Sequence, residues 1–371
     1  MNEVIKQLLI VIAIMAFVGL IVPIIKKLAF HIGAMDIPNE RSVHTKPIPR
    51  LGGLAIYAGF LLGYMCFCKT NIIMNSILIG SFIIILTGIA DDIKPLKALT
   101  KLIFQTIACL VIVFYGKILL TDISAFGFYI DFGILAYPIT ILFILICINC
   151  MNLIDGLDGL SSGISSIYFL TIGIICYFKG SYGLDYIFCS IMLGACLGFL
   201  IHNHHPAKIF AGDTGSMFLG FIIGIIALLG FKNVTFTSLL IPFLIIAIPV
   251  LDAIFAIIRR FLKGEKIMSP DKFHIHHQLL NLNFSHKATV NIICFIDALF
   301  ALASIIYVLV DRTLGYILYG LLLILVLIFV LKTNVVVEHK KNNHWLFFFN
   351  KCFIMSYYFF RISYLFNFSL V

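Results

Sequence analysis

Stretches of about twenty apolar residues recur along almost the whole chain, and this repetition constrains the fold more than any other feature. A stretch of that length is long enough for a helix to cross the hydrocarbon core of a bilayer, which is about 30 Å thick. Of the 371 residues, 62% are hydrophobic, a larger share than ordinary soluble domains contain. The sequence therefore predicts an all-α, polytopic integral membrane protein.

The apolar windows predict about eleven membrane-spanning helices within a single domain that covers residues 1–335. The predicted spans lie near residues 4–30, 51–68, 72–90, 102–121, 132–151, 163–178, 186–201, 216–231, 236–258, 290–310 and 314–331. Residues 336–371 form an aromatic-rich tail, which is compatible with an interfacial helix and equally with a weak extra span.

The connections between these spans alternate between short ones and long ones, and the long ones contain the polar motifs. Lys and Arg residues are concentrated on the motif side, 18 against six, with Lys351 and Arg361 assigned to neither side. Because basic residues favour the cytoplasmic side, we expect the motifs to face the cytoplasm and the N-terminus to lie outside. The formal charge of +9 is explained in this way and does not indicate a nucleic-acid partner.

The first motif is a pair of adjacent aspartates, Asp91 and Asp92, at the end of the third predicted span. Repulsion between neighbouring carboxylates raises their affinity for a divalent cation or a proton. Lys101 follows Pro95, and a bend at this proline would let the ammonium reach an anion bound near the pair. The pair is also compatible with simple solvation of a loop.

The second motif is NLIDGLDGLSSG, residues 152–163. Asn152, Asp155 and Asp158 recur at a spacing of three residues, so on a helix they would share one face, which Asn149 extends. Carboxylates and carboxamides in such a row can bind Mg²⁺ or form hydrogen bonds with a nucleotide. A polar turn between two spans is the alternative.

The third motif, AGDTGS, places Asp213 just ahead of an apolar helix. The free N–H groups at a helix N-terminus attract phosphate, whereas Asp213 repels it unless a metal ion lies between them. A metal-bridged diphosphate satisfies both groups. The alternative is a simple N-cap formed by Asp213 or Thr214.

The fourth motif, HIHH, lies in the longest polar loop and contains His274, His276 and His277. A zinc site is disfavoured because no further His or Cys lies at a standard spacing. We expect these imidazoles to bind sugar or phosphate oxygens, while Arg259 and Arg260 clamp phosphate. The two arginines are also explained as topology determinants at the inner membrane face.

A basic, proline-containing loop precedes these motifs, at residues 36–53. Its cationic side chains could receive an anionic head group, and attraction to the lipid surface explains them about as well. The residues concerned are Arg41, His44, Lys46 and Arg50.

Four segments together resemble the successive cytoplasmic motifs of the polyprenyl-phosphate N-acetylhexosamine-phosphate transferases, a group of the glycosyltransferase family 4 type. These segments are IADDIKPLKALTK, NLIDGLDGLSSG, HPAKIFAGDTGSMFLG and PDKFHIHHQLL. The HIHH loop resembles the branch that transfers N-acetylglucosamine phosphate from UDP-N-acetylglucosamine to undecaprenyl phosphate, which initiates teichoic-acid linkage units, O-antigen or related glycans. The phospho-N-acetylmuramoyl-pentapeptide transferases of peptidoglycan synthesis are the nearest rival.

The resemblance implies a role for each matching residue. Asp213 would be the principal ligand of Mg²⁺, with Mn²⁺ as an alternative ion, and Asn152 would lie beside it. Asp91 would act as a base or orient the lipid phosphate together with Asp92, while Lys101 holds phosphate. The residues implied at the uridine end are Asp155, Asp158, Asn203 and Phe210, and those implied at the sugar and diphosphate are Arg260, His274, His276 and His277.

The resemblance also implies the partners and the location of the protein. The partners would be UDP-N-acetylglucosamine, undecaprenyl phosphate and the bilayer of a cell membrane of the bacterial inner membrane type. The sequence leaves open whether the chain works as a monomer or as a homodimer. A secondary transporter is the rival from another class, but its acids usually lie near the bilayer midplane, whereas these lie at span ends.

Overall fold

The computed structural model describes residues 3–38, 47–125, 128–232, 240–265, 273–333 and 335, and it shows a helical bundle. The α-helices are α1 (Glu3–Ile32), α2 (Gly52–Phe67), α3 (Ile72–Ile93), α4 (Ala98–Leu110), α5 (Ala136–Ile154), α6 (Leu160–Lys179), α7 (Leu184–Asn203), α8 (Gly212–Lys232), α9 (Leu240–Ile245), α10 (Ala247–Leu262), α11 (Ile275–Asn281), α12 (His286–Leu309) and α13 (Arg312–Lys332). The C-terminal tail, residues 336–371, lies outside the described residues.

Within the described ranges, nine helices are long and apolar enough to cross a membrane, and α2 is a shorter apolar helix. The prediction of a polytopic, mainly helical membrane protein is therefore confirmed. The number of eleven spans and the orientation in the membrane stay predictions.

The ninth predicted span, residues 236–258, is wrong as a continuous helix because it is interrupted between α9 and α10. Ile246 leaves the helical region, with φ −108° and ψ 40°. Pro249 explains the break, since in a continuous helix its ring would clash with the carbonyl of Ile245, four residues earlier. The proline instead lies in the first turn of α10, where no intrahelical N–H partner is needed.

Two small antiparallel sheets depart from the all-α prediction. Strands β1 (Met35–Asp36) and β2 (Ile48–Pro49) pair just before α2, with Met35 opposite Pro49. Strands β3 (Asp122–Ala125) and β4 (Phe128–Asp131) form a hairpin between α4 and α5. The fourth predicted span also ends early, because α4 passes into a π-helical turn, Val111–Tyr115.

The core of the bundle surrounds α8. This helix is almost completely enclosed and packs against α2, α3 and α5, whereas α13 is largely exposed. Large apolar side chains such as Leu20 and Leu331 point outward from the peripheral helices α1 and α13. This distribution suits a protein whose outer surface contacts lipid, and it leaves the helix ends to carry the polar groups.

Candidate active site

Three helix ends meet at the first motif: the end of α3, the start of α4 and the start of α8. The chain bends around Pro95, as the sequence predicted, and α4 begins three residues later. The bend returns Lys101 to the aspartate pair, with Nζ 3.2 Å from Oδ1 of Asp91. The same Nζ lies 2.8 Å from Oδ2 of Asp213. One ammonium therefore neutralises carboxylates from two separate motifs.

Asp92 is adjacent to Asp91 in sequence but lies in a different environment. Its side chain is fully buried and accepts four hydrogen bonds, about the capacity of a carboxylate. The backbone N–H of Asp213 donates at 2.9 Å, and the N–H and hydroxyl of Thr214 donate at 3.1 and 2.6 Å. The fourth donor is Nε of Arg50, at 3.2 Å. Asp92 thus caps α8 from a neighbouring helix, where a negative charge is favourable.

Arg50 lies among these carboxylates, although the sequence placed it only in a basic loop. Besides Asp92, its guanidinium contacts Asp213, with Nη2 3.3 Å from Oδ1, and Asp36, with Nη1 4.0 Å from Oδ1. Burial lowers the pKa of Arg50, but the surrounding carboxylates outweigh that effect and raise the pKa above its usual value. Arg50 and Lys101 therefore supply two permanent positive charges to this place. The other basic residues of the loop, Arg41, His44 and Lys46, lie outside the described residues.

The main chain attaches Arg50 to the segment before α8. Arg50 and Phe210 form an isolated parallel bridge. The N–H of Phe210 donates to the carbonyl of Pro49 at 2.8 Å, and the N–H of Gly52 donates to the carbonyl of Phe210 at 2.8 Å. The position of the guanidinium thus follows from backbone pairing rather than from the side chain alone.

Glycines allow α2, α3 and α8 to touch without intervening side chains. A Cβ on Gly53 would overlap the main chain of Gly215, and a Cβ on Gly88 would overlap that of Thr214. Gly212, the first residue of α8, has φ 70°, a conformation that favours glycine. The alternative interpretation of this motif, a cap formed by Asp213 or Thr214, is not what the structure shows, because the close approach of α3 gives that role to Asp92.

We call Asp91, Asp92 and Asp213, together with Arg50 and Lys101, the acidic cluster. Each aspartate offers one carboxylate oxygen, and the three oxygens lie within 4.8 Å of one another. Oxygen ligands in this number suit Mg²⁺, and Mn²⁺ accepts them as well. Because Asp92 already accepts its full set of hydrogen bonds, Asp91 and Asp213 are the aspartates with lone pairs left for a cation.

Asn152 lies against the same turn of α8. Its Nδ2 donates to Oγ of Ser216 at 3.0 Å, and that hydroxyl donates to the carbonyl of Gly212 at 3.1 Å. This contact uses the donor side of the amide and leaves Oδ1, the atom that a cation would take. The structure thus brings Asn152 to the turn that contains Asp213, as a shared metal site requires.

The predicted helical row of polar residues in the second motif is wrong beyond Asn152, because α5 ends at Ile154. Asp155 has left the helix, with φ −75° and ψ 50°, and Asp158 belongs to the following turn. Gly159 ends this turn with φ 77°. The two aspartates therefore face different surroundings.

Asp155 lies at the side of the turn that is closer to the acidic cluster. It accepts a hydrogen bond from Oγ of Ser161 at 2.5 Å. Burial raises the pKa of Asp155 to about 7, the charge of Asp213 adds to the rise, and the bond from Ser161 opposes it. Near neutral pH this carboxyl can therefore act both as a donor and as an acceptor.

Asp158 connects three loops. Its Oδ2 lies 2.7 Å from Nδ1 of His205 and accepts the N–H of Ala207 at 3.1 Å. Its backbone N–H donates to Nε2 of His286 at 2.9 Å, and the rings of His205 and His286 stack at 4.4 Å. One Asp and two His are ligand types of a metal site, but the main chain already uses Nε2 of His286. The group is therefore a hydrogen-bonded clamp.

Asn203 ties this turn to the chain that precedes α8. It is buried, its Oδ1 accepts the N–H of Gly159 at 3.0 Å and the hydroxyl of Ser162 at 3.1 Å, and its Nδ2 donates to the carbonyl of Ile209 at 2.9 Å. The amide therefore contributes by holding the turn in position.

His274, His276 and His277 lie at the start of α11 with their rings in mutual contact. Burial, together with the smaller effect of the neighbouring His277, lowers the pKa of His276 to about 3, so this ring is neutral at physiological pH. A Cβ on Gly156 would lie 2.6 Å from Nε2 of His276. The second motif of the chain is thus joined to the fourth, because His276 packs directly on the turn that follows Asp155.

The helix α10 packs against the segment that contains the histidines and contacts it through Asp252. Arg260 is buried in its last turn. About two turns earlier on the same helix, the buried Asp252 lies 2.8 Å from Nδ1 of His274 and accepts the N–H of Ile275 at 2.8 Å. We call the three histidines and Asp252 the histidine group. Residues 266–272 of the same loop lie outside the described residues.

Comparison with known proteins matches the sequence of this chain to a family. The model of glycosyl transferase family 4 matches residues 74–231, which include the three aspartates of the acidic cluster. A probable undecaprenyl-phosphate N-acetylglucosaminyl 1-phosphate transferase of Bacillus subtilis (strain 168) is 40% identical over 292 residues, 77% of this chain and 81% of that protein. The chain belongs to glycosyl transferase family 4.

Two further members of the family are more distant. A decaprenyl-phosphate N-acetylglucosaminephosphotransferase of Mycobacterium tuberculosis (strain H37Rv) is 34% identical over 72% of this chain and 74% of its own length. An undecaprenyl-phosphate alpha-N-acetylglucosaminyl 1-phosphate transferase of Escherichia coli (strain K12) is 30% identical over 78% of this chain and 81% of its own length. The family and the branch that the four motifs indicated are both confirmed.

For two residues of this candidate site, the place that the structure gives them was not predicted from the sequence. Arg50 was placed in a basic loop, although the following glycine pair, Gly52 and Gly53, is a signal of close backbone approach. Asp252 was passed over within an apolar span, although an acid in such a span is a functional signal by default. The roles assigned to the other site residues stay predictions.

Proposed function

We propose that this chain transfers N-acetylglucosamine phosphate from UDP-N-acetylglucosamine to undecaprenyl phosphate and releases UMP. The observation that carries the proposal is the acidic cluster at the helix ends, in a chain 40% identical to a relative named for this reaction. The lipid-linked diphosphate sugar would then initiate the synthesis of a cell-wall or surface glycan.

In this reaction a phosphate oxygen of the lipid attacks the phosphorus that carries the sugar. The new P–O bond forms as the P–O bond to the uridine-side phosphate breaks, and UMP leaves with the bond electrons. Both reactants are anions, so neutralising negative charge dominates the barrier. Arg50 and Lys101 supply two positive charges, already held 3.3 Å or less from Asp213.

The acidic cluster would hold the reacting phosphates. Asp213 and Asn152 would hold Mg²⁺, or Mn²⁺, with Asp91 next to them, and the ion would neutralise charge on the diphosphate. Lys101 would bind phosphate, and Asp91 would orient the lipid phosphate or accept a proton from it. Asp92 supports this arrangement by fixing the start of α8.

The remaining site residues would bind the rest of the donor. At the uridine end, Asp155 and Asp158 would contact the nucleoside or shape its pocket, supported by Asn203 and Phe210. At the sugar and diphosphate, the contacts would come from His274, His277 and Arg260, with His276 packed against the turn at Gly156. In this way the turn after α5 would separate the nucleoside from the sugar.

Substrates of two kinds must reach one place in this scheme. A lipid whose tail stays in the bilayer and a soluble nucleotide can meet only at the membrane edge, where the helix ends lie. We place that edge on the cytoplasmic side of a bacterial plasma membrane, with the N-terminus outside, because most Lys and Arg residues lie on the motif side.

Purified protein with radiolabelled UDP-N-acetylglucosamine, undecaprenyl phosphate and Mg²⁺ tests the proposal. A lipid-extractable labelled product and stoichiometric UMP are expected, and chelation of the divalent ion should stop both. A folded protein that forms no lipid-linked product would refute the function.

The same assay with UDP-N-acetylmuramoyl-pentapeptide as donor tests the rival within the family. Transport of an ion or solute into liposomes without nucleotide sugar would instead support a secondary transporter. Labelled phosphosugar trapped on the protein in the absence of lipid would indicate a covalent intermediate on an aspartate, and its absence would indicate direct attack.

A further inference from the structure

Asp252 is a buried carboxylate that none of the four motifs contains. It lies on α10, is 1% exposed, and uses both of its oxygens on the neighbouring histidine segment. Oδ2 pairs with Nδ1 of His274, and Oδ1 accepts the N–H of Ile275, each at 2.8 Å. One side chain therefore fixes the ring of His274 and also the main chain that begins α11.

The contact determines which atom of His274 is left for a ligand. A carboxylate accepts hydrogen bonds, so Nδ1 must carry a proton, and Nε2 is the remaining nitrogen. With Asp252 on one side of the ring and a diphosphate on the other, anions on both sides would stabilise an imidazolium that carries a proton on each nitrogen. Nε2 would then donate a charge-assisted hydrogen bond to phosphate.

The neighbouring groups make His274 the appropriate histidine for this role. His276 is neutral, and its parallel ring lies 5.7 Å from that of His274. His277 is centred 6.4 Å away, and Arg259 binds the carbonyl of Phe273, the residue before His274. Asp252 pairs with the ring of His274, with Oδ2 2.8 Å from Nδ1.

We propose that Asp252 is a positioning residue that orients His274, so that Nε2–H faces an anionic oxygen of the nucleotide-sugar donor. This inference rests on the proposed transferase function. It adds a specific contact to the donor site, because it predicts that Asp252 acts on the donor through His274 and leaves the lipid acceptor unaffected.

The test is a comparison of steady-state constants for Asp252→Asn and the unaltered protein. Asparagine still accepts the N–H of Ile275, but it turns an amide N–H₂ toward Nδ1 and removes the negative charge. The KM for UDP-N-acetylglucosamine should rise about tenfold, because a charge-assisted hydrogen bond becomes a neutral one. The kcat and the KM for undecaprenyl phosphate should change less than about twofold.

A double-mutant cycle separates this role from a merely structural one. In a His274→Gln background, Asp252→Asn should produce no further rise in the KM for the donor. A full additional tenfold rise there would overturn the proposal, since Asp252 would then act without His274. An equal rise in the KM for the lipid acceptor would overturn it as well.

A matched control and a second variant complete the experiment. Asp297→Asn alters another fully buried carboxylate, on α12, and should leave both KM values unchanged. If Asp252→Asn does not fold, His274→Asn keeps a donor toward Asp252 and removes only Nε2, and an unchanged donor KM in that variant would overturn the proposal. Activity of the unaltered protein is measured first, so failure of the transferase function itself is recognised separately.

Discussion

In the acidic cluster three carboxylates share two cations, whereas in the histidine group one carboxylate, that of Asp252, pairs with one of three neighbouring imidazoles. The first lies on helix ends that touch through glycine, so its charges are held by backbone contacts. The second lies on the short helix α11 and is held mainly through side chains, at Asp252 and against Gly156. The difference suggests separate tasks: the rigid group would neutralise the reacting phosphates, and the side-chain-held group would recognise the donor.

The largest effect is expected for Asp213→Asn, which tests whether the acidic cluster is the chemical centre. The variant removes a charge paired with both Arg50 and Lys101, so turnover should fall by at least about 100-fold. Initial rates of phosphosugar transfer at several Mg²⁺ concentrations measure it. Asp131→Asn, an exposed carboxylate on the hairpin, is the control, and retained activity in the Asp213 variant would exclude the metal role.

Replacing each of the adjacent aspartates by asparagine should have different effects: the change at Asp92 should lower stability, and the change at Asp91 should lower activity. Asp92→Asn leaves an N–H₂ facing buried donors at the start of α8, so it should destabilise the fold by about 3–5 kcal/mol. Asp91→Asn should lose activity with little change in thermal midpoint. The amide oxygen of asparagine can still accept the N–H of Leu96, and Lys101 keeps Asp213 as its partner. Thermal unfolding in detergent, measured beside activity, makes the comparison. Equal stability of the two variants would contradict the capping role of Asp92.

Arg50→Lys tests whether the acidic cluster needs a guanidinium, which donates to two carboxylates at once. A single ammonium cannot contact Asp92 and Asp213 in the way that Nε and Nη2 do, so kcat should fall about tenfold through the loss of one charge-assisted hydrogen bond. Arg312→Lys, an exposed arginine at the start of α13, should be silent. A rate equal to that of the unaltered protein would show that the charge alone is sufficient.

Gly156→Ala tests the contact between the turn after α5 and the histidine group. The new methyl would lie 2.6 Å from Nε2 of His276, so the histidine group should shift and the KM for the donor should rise about fivefold, with kcat less affected. Gly320→Ala, which meets open space on α13, is the matched control. A larger effect on kcat than on KM would place the turn with the chemical centre instead.

The smallest expected effect is a change in the pH dependence of stability, and it concerns Asp155 in the turn after α5. Its pKa is about 7 in the folded chain against an ordinary value of 3.8, so the folded state holds an extra proton between these values. The associated stability is fully present below pH 3.8 and is lost as the pH rises through 7. Asp155→Asn should therefore weaken the decrease in thermal midpoint between pH 5 and 8, and an unchanged slope would contradict the raised pKa.

The sequence predicted the acidic cluster better than it predicted the second motif. Lys101 could be assigned to the place of Asp91 because Pro95 marks a bend, and the resemblance to the transferases implied Asp213 at the same site. The helical row through Asp155 and Asp158 failed because spacing alone does not show where a helix ends, and α5 ends at Ile154.

Partners that depend on tertiary contacts were not predictable from one sequence. The bridge between Arg50 and Phe210 joins residues far apart in the chain, and no local pattern records it. The pairing of Asp252 with His274 likewise joins a helix to a distant loop. The break at Ile246 was different, since Pro249 is visible in the sequence and its effect follows from elementary stereochemistry.

The absence of side chains where Gly53 and Gly88 meet α8 has a practical consequence for inhibitor design. Compounds directed at the acidic cluster would meet side chains on helices whose spacing is fixed by main-chain contacts and cannot relax by a change of rotamer, so a rigid scaffold should gain affinity there. Resistance through substitution of either glycine should be rare, because any larger residue would force apart the helices on which the acidic cluster is built.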